Sequence, residues 1–227
     1  MTEKPNICKH CNRGFLNERT LAAHMCTKKR RWTEQHTVGF RLGFRVFQMF
    51  YEKTTTSKKS KSEEDFINSK FYNSFIKFGR HLVDLDPINA EEYINFIFDN
   101  GVKLKDWTAD YVYEAYIEER MKKEPVLAAI ERTFDTMEKW AKQHDMCYNQ
   151  FFTHSNVNEA VYLIRSGKIS PWVLYLSETA DDFFNRINEE QAALIKAIID
   201  PNKWKVIFMT KKDSVELVKD ALEQAKV

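Results

Sequence analysis

Apolar residues recur every three or four positions through most of this chain, and only 6 Gly and 5 Pro interrupt the pattern in 227 residues. That spacing puts apolar side chains on one face of a helix. Phe40, Phe44, Phe47 and Tyr51 stand at i, i+4, i+7 and i+11, and Leu42, Val46, Met49 and Phe50 broaden the stripe. The stretch 34–53 is therefore expected to be helical. Its GFRLGFR portion also alternates with period two, which leaves a strand open at its start. Few glycines argue against phosphate-binding loops and against a turn-rich β design.

The same periodicity continues from Glu63 to the end. Phe71, Phe75, Phe78 and Leu82 form a stripe. Asn89 and Glu92 have the spacing of a capping box before a helix carrying Tyr93, Ile94, Ile97 and Phe98, with Gly101 as its stop. A helix from about Ala109 carries Val112, Tyr113, Tyr116, Ile117 and Met121. Pro125 suits the first turn of another, through Ala129, Thr133, Met137 and Trp140. Asn158 to Arg165 forms a shorter helix closed by Gly167. Residues 169–177 make a compact apolar segment after a turn. Residues 178–199 give one or two helices, with Asn188 and Gln191 as an internal start. WKVIFMT (204–210) is ambiguous and open to a short strand. Ser214 to Lys226 is an amphipathic helix, and TTTSKKSKS (54–62) reads as a polar loop or linker.

Net charge is +2, but it is unevenly divided. Through Ser62 there are 14 Lys or Arg against 4 Asp or Glu; beyond it there are 21 against 29. Such asymmetry suggests a basic element that meets nucleic acid or another acidic surface. Docking of that element on the chain's own acidic body is the plainer alternative.

Three of the four cysteines lie at 8, 11 and 26. Clustering of this kind suits a metal site better than a disulfide framework. Cys147 stands apart and is expected to be a small buried apolar residue. Written out, the pattern is Cys8, two residues, Cys11, three residues, Phe15, five residues, Leu21, two residues, His24. A Cys pair on a tight knuckle and a His on a short helix can meet at one ion, with Phe15 and Leu21 as the small core between them.

Over roughly residues 1–27 this resembles the C2H2-type zinc-finger family, in a variant with a Cys-Cys-His-Cys donor set. The resemblance implies one structural Zn²⁺ held by Cys8, Cys11, His24 and a fourth ligand. Where the family places its second His, this chain has Lys28, Lys29 and Arg30. Cys26 and His36 are the nearest substitutes. Cys26 lies about 200° around an ideal helix from His24 and reaches the ion only if the helix ends or tightens at Met25. His36 requires the basic segment to fold back. Cys26 is preferred because thiolate is the better zinc partner; a three-ligand or empty site completes the possibilities. His10, inside the knuckle, is expected to be exposed.

In that family three helix positions meet successive bases, and by alignment they fall on Asn17, Thr20 and Ala23. One finger covers about three base pairs, so sequence-specific reading by this one is not expected. Backbone contact is the better expectation, from Arg13, Arg19, Lys28, Lys29, Arg30, Arg31, Arg41 and Arg45, with Lys58, Lys59 and Lys61 extending the charge, while Asn17 and Thr20 join the nucleic-acid-binding set as base-facing positions. Trp32 either stacks on a base or packs between finger and body, the second being preferred.

No phosphate-binding Gly-rich loop and no nucleophile elbow occur. His81, His144 and His154 are isolated, and the pairs Asp84/Asp86 and Asp181/Asp182 read as caps and solvated charge. No catalytic residue is assigned. No apolar run approaches transmembrane length and no signal peptide is found, so a soluble, intracellular, cytoplasmic protein without membrane contact is expected.

The order YINFIFDNGVKLKDWTADY, a long charged helix, NEAVYLIRSGKISPWVLYLSE and DPNKW resembles the layout of T4-type phage helicase loaders, over about residues 65–205. Those proteins are all-α, bind branched and single-stranded DNA, and place a replicative helicase while contacting a single-strand-binding protein. Two departures stand beside the resemblance: the N-terminal finger and the acidic body. No functional residue is carried over.

The expected architecture is mainly α: a zinc finger with basic exit (1–32), a basic amphipathic helix and linker (33–62), and an irregular, acidic all-α domain (63–227). The expected function is a non-enzymatic nucleic-acid-binding accessory protein, in phage-type replication, recombination or transcription, with DNA and an unidentified protein as partners. The competing reading is a protein–protein adaptor that uses the finger and basic segment on an acidic partner; a helical nuclease-like enzyme comes third.

Overall fold

The structure is a computed structural model that describes residues 6–56 and 60–227. It is mainly α-helical, with one small two-stranded element near the N-terminus. Contacts divide the chain into two compact units, residues 1–85 with 97–108, and residues 86–96 with 109–227.

In the first unit, strands β1 (Asn6–Ile7) and β2 (Gly14–Phe15) pair antiparallel, with Asn6 opposite Phe15 and Ile7 opposite Gly14. Five helices follow: α1 (Glu18–Ala23), α2 (Thr27–Glu34), α3 (Val38–Thr54), α4 (Glu63–Asn68) and α5 (Tyr72–Leu85). The GFRLGFR stretch is wholly helical, because Thr37 caps the Phe40 amide and the apolar stripe has a partner in α5. KKRRW, the basic exit to which no element was assigned, forms most of α2. Of the expected loop at 54–62, Thr54 closes α3, Thr55, Thr56 and Ser60–Ser62 are not helical, and Ser57, Lys58 and Lys59 lie outside the described residues.

Helices α3 and α5 touch backbone to backbone. A Cβ at Gly79 would stand 2.2 Å from the Gly39 carbonyl oxygen and 2.5 Å from the Gly43 nitrogen; one at Gly43 would stand 2.8 Å from the Phe75 carbonyl oxygen. No side chain fits such a crossing. Close approach brings the aromatic stripes of both helices into one cluster. Phe66 of α4 sits among Phe40, Phe44, Phe47 and Tyr72, at centroid distances of 5.0 to 5.7 Å. Phe47 and Phe75 meet edge to face at 5.3 Å. Trp107 closes the cluster against Phe50, Phe75, Phe78 and Phe98, and its indole N–H donates to the Val102 carbonyl at 2.9 Å. Offset and edge-on contacts of this kind add to the area the rings bury. Phe71, expected on the buried stripe, is 38% exposed just before α5 begins.

The second unit holds most of α6 (Ala90–Asp99), then α7 (Asp110–Lys123), α8 (Val126–His144), α9 (Phe151–His154), α10 (Val157–Arg165), α11 (Pro171–Leu176), α12 (Ala180–Arg186), α13 (Glu189–Ile195), α14 (Pro201–Thr210) and α15 (Lys212–Ala225). Punctuation residues act where the sequence placed them. Asn89 accepts from the Glu92 amide, Asn188 and Gln191 form a capping box, and Gly101 and Gly167 adopt φ of +61° and +78°. Buried Thr133 of α8 accepts from the Ser170 amide at 2.9 Å and donates to the Ala129 carbonyl, fixing the start of α11 on α8.

WKVIFMT is helical, not extended. Val206, Ile207 and the aromatics favour strands. The start Asp200-Pro201, with Asp200 accepting from the Asn202 amide, sets a helix. Trp204 and Phe208 then share a face at i, i+4 and meet Trp172. Cys147 is exposed rather than buried, since it sits in the turn after α8. Among the described residues no helix is long and apolar enough to cross a membrane.

Gly79→Ala is expected to lower the stability of the first unit by about 3 kcal/mol, the upper end of an overpacking penalty, because its new methyl meets backbone that cannot rotate away. Urea unfolding followed by fluorescence checks this; an unchanged midpoint would show that the crossing yields easily.

Candidate metal centre and its basic surroundings

The hairpin turn is built from Cys8 to Arg13. The Cys8 amide donates to the Arg13 carbonyl at 2.9 Å, the Asn12 amide donates to the Cys8 carbonyl at 2.8 Å, and Asn12 takes φ of +58°. This turn presents Cys8 and Cys11 on one side. Asn17 caps α1 by accepting from the Thr20 amide at 2.9 Å. Helix α1 then ends at Ala23, and His24 and Cys26 have extended backbones. The expected angular obstacle between His24 and Cys26 therefore does not arise, because the helix stops one residue before His24.

The Sγ atoms of Cys8, Cys11 and Cys26 and a ring nitrogen of His24 all lie within 4.8 Å of one another. Cys11 Sγ is 3.2 Å from His24 Nε2. His36 is exposed and is not a member of this group. The His24 ring packs on Phe15 at 4.6 Å, so the small core also orients the imidazole.

Cys26 has a second task. Its sulfur accepts from the Lys29 amide at 3.3 Å and so caps α2. The Cys8 thiol is held below its ordinary range, first by the His10 amide. At Cys11 the Arg13 amide favours the thiolate, yet burial and the neighbouring Cys8 and Cys26 sulfurs prevail and raise the thiol. Three sulfurs with one imidazole nitrogen suit a soft or borderline transition metal. The cluster can thus hold a metal ion.

The basic residues around it divide into two sets. Lys29 is turned inward, its ammonium donating to the His24 carbonyl at 3.2 Å and the Ala22 carbonyl at 3.4 Å. Arg31 is also engaged: its guanidinium lies 4.3 Å from the Tyr72 ring centroid and donates to the Ile67 carbonyl. Glu34 adds to this seam by accepting from the Tyr72 hydroxyl at 2.8 Å and pairing with Arg80 at 3.0 Å. Arg13, Arg19, Lys28, Arg30, Arg41 and Arg45 are exposed. Arg41 and Arg45 share a face of α3 one turn apart. Arg30, Glu34, Lys77 and Arg80 line a groove of about 580 Å³. Asn17 and Thr20 are exposed, but the Asn17 carbonyl oxygen and the Thr20 hydroxyl are committed to the cap.

Trp32 does not pack between finger and body. It is 49% exposed and rests on His10, with centroids 5.3 Å apart. His10 is consequently half-buried rather than exposed. The Lys9 ammonium lies 5.6 Å from the Trp32 centroid. Lys9 went unmarked in the sequence because knuckle residues between two ligands vary freely in the pattern that identifies the ligands.

Comparison of the chain with protein-family models, curated proteins and solved structures yields no match.

Cys26→Ser keeps a good helix cap while removing a thiolate. It is expected to weaken metal binding by at least about tenfold, whereas His36→Ala keeps wild-type stoichiometry and affinity. Metal per chain, with competition by a chelator, measures both; tight stoichiometric metal in Cys26→Ser would remove Cys26 from the donor set.

Proposed function

We propose that the chain is a non-enzymatic, zinc-containing nucleic-acid-binding accessory protein. The observation that carries this reading is a closed donor set of three thiols and one imidazole inside an element whose surface bears exposed cations. Cys8, Cys11, Cys26 and His24 would hold one Zn²⁺, for which this set is well suited. The ion would supply folding free energy to an element whose own core is little more than Phe15 and Leu21. Four protein ligands leave no open position for a reacting water, which favours a structural over a catalytic role.

Arg13, Arg19, Lys28, Arg30, Arg41 and Arg45 are the candidates for phosphate contact. Commitment of Asn17 and Thr20 to the α1 cap weighs against base reading from that helix. Lys29 and Arg31 are held by the fold and contribute mainly to placing α2. The second, helical unit is proposed as the platform for a protein partner.

The test is a salt series of binding to single-stranded, duplex and forked DNA. Log affinity should fall linearly with log salt, and Lys28→Gln and Arg30→Gln should each reduce the slope by about 1. An intact, metal-loaded chain that binds none of these DNAs at low salt would overturn the reading in favour of an adaptor for an acidic protein surface. Turnover of any of them with added Mg²⁺ would overturn the non-enzymatic assignment.

A further inference from the structure

Trp32 is an outlier among the five tryptophans. Trp107, Trp140, Trp172 and Trp204 are 2 to 6% exposed, while Trp32 is 49% exposed. Large apolar rings are normally buried, and this one is held at the surface rather than left loose. It is fixed on α2, the helix capped by Cys26, and it rests on the His10 ring of the knuckle. The element that gathers the metal ligands therefore also presents an indole. Cations flank it: Lys9 beside the ring, and exposed Lys28 one helical turn earlier on the same face of α2.

An exposed, braced aromatic with one ammonium beside it and a second lysine one helical turn away fits one chemistry closely. Every nucleobase has a π-face that can stack on an indole, and the phosphates on either side of a stacked base can be met by cations. In a duplex the base faces are covered by their neighbours, and only the edges are open to a side chain. The platform is thus matched to an unpaired base.

We propose that Trp32, braced by His10, stacks on an unpaired base while Lys9 and Lys28 hold the adjoining phosphates, so that this element grips single-stranded in preference to duplex nucleic acid. The inference rests on the nucleic-acid-binding reading and names the strand type that this surface takes. The present position of Lys9 beside the ring is compatible with that role, since a solvent-exposed lysine exchanges the ring for a phosphate at small cost.

The experiment uses the intact, metal-loaded chain, with oligo(dT), oligo(U) and a duplex as probes. Because the other four indoles are buried, quenching of the solvent-exposed emission reports on Trp32. Both single strands should quench it, and the duplex should bind more weakly without quenching. Trp32→Ala should weaken single-strand binding by between about fivefold and about a hundredfold, the range of one base–aromatic stack, while Trp32→Phe retains most of it. Metal content and unfolding midpoint of Trp32→Ala, unchanged for a half-exposed residue, separate loss of stacking from loss of fold. Should Trp32→Ala fail to fold, the quenching and strand preference of the wild type decide the matter.

Single-strand binding that leaves Trp32 unquenched and unaffected by Trp32→Ala would overturn this inference while leaving nucleic-acid binding in place. So would tighter binding to the duplex. Failure of every probe to bind at low salt would overturn both.

Discussion

The sulfur of Cys26 joins two parts of the molecule at one atom. It completes the group formed by Cys8, Cys11 and His24, and it accepts the amide of Lys29 that begins α2. Helix α2 has eight residues and no fully buried side chain of its own. It is therefore held by its ends and by Arg31 and Glu34, which reach Tyr72, Ile67 and Arg80. Order at the metal group is thereby transmitted to a surface helix through a cap rather than through a hydrophobic core. A helix this short has little intrinsic stability, so fixing its first amide matters more than it would in a longer one.

Farther along the same unit the organising principle changes. Gly39, Gly43 and Gly79 permit backbone contact between α3 and α5, and the aromatic rings are packed by that contact rather than the reverse. Aromatic side chains from Phe40 to Trp107 then interlock, mostly in edge-on and tilted pairs. Two different solutions to stability, a polar cluster and a glycine crossing, thus serve adjacent pieces of chain.

Much of this was legible in the sequence where local chemistry decides the outcome. Helical periodicity located the major helices, and Asn89, Asn188, Gly101 and Gly167 mark the boundaries they mark in the structure. The spacing of Cys8, Cys11, Phe15 and His24 was enough to foresee their meeting. What escaped depends on partners remote in sequence or on unusual chemistry. Cysteine is not an ordinary helix cap, so the start of α2 carried no signal in the sequence. WKVIFMT has strand-like composition, and only Asp200-Pro201 with the Trp172 cluster turns it into a helix. A run of four cations reads as uniform charge in sequence. The fold, however, spends Lys29 and Arg31 on carbonyls and on Tyr72, and leaves Lys28 and Arg30 to solvent.

The sulfur-rich donor set also has a consequence for charge. Around a divalent ion, two thiolates and two imidazoles would be neutral, whereas three thiolates and one imidazole would carry a single negative charge. Lys29, with its amide on Cys26 and its ammonium on the carbonyls of Ala22 and His24, would then serve as an internal counterion.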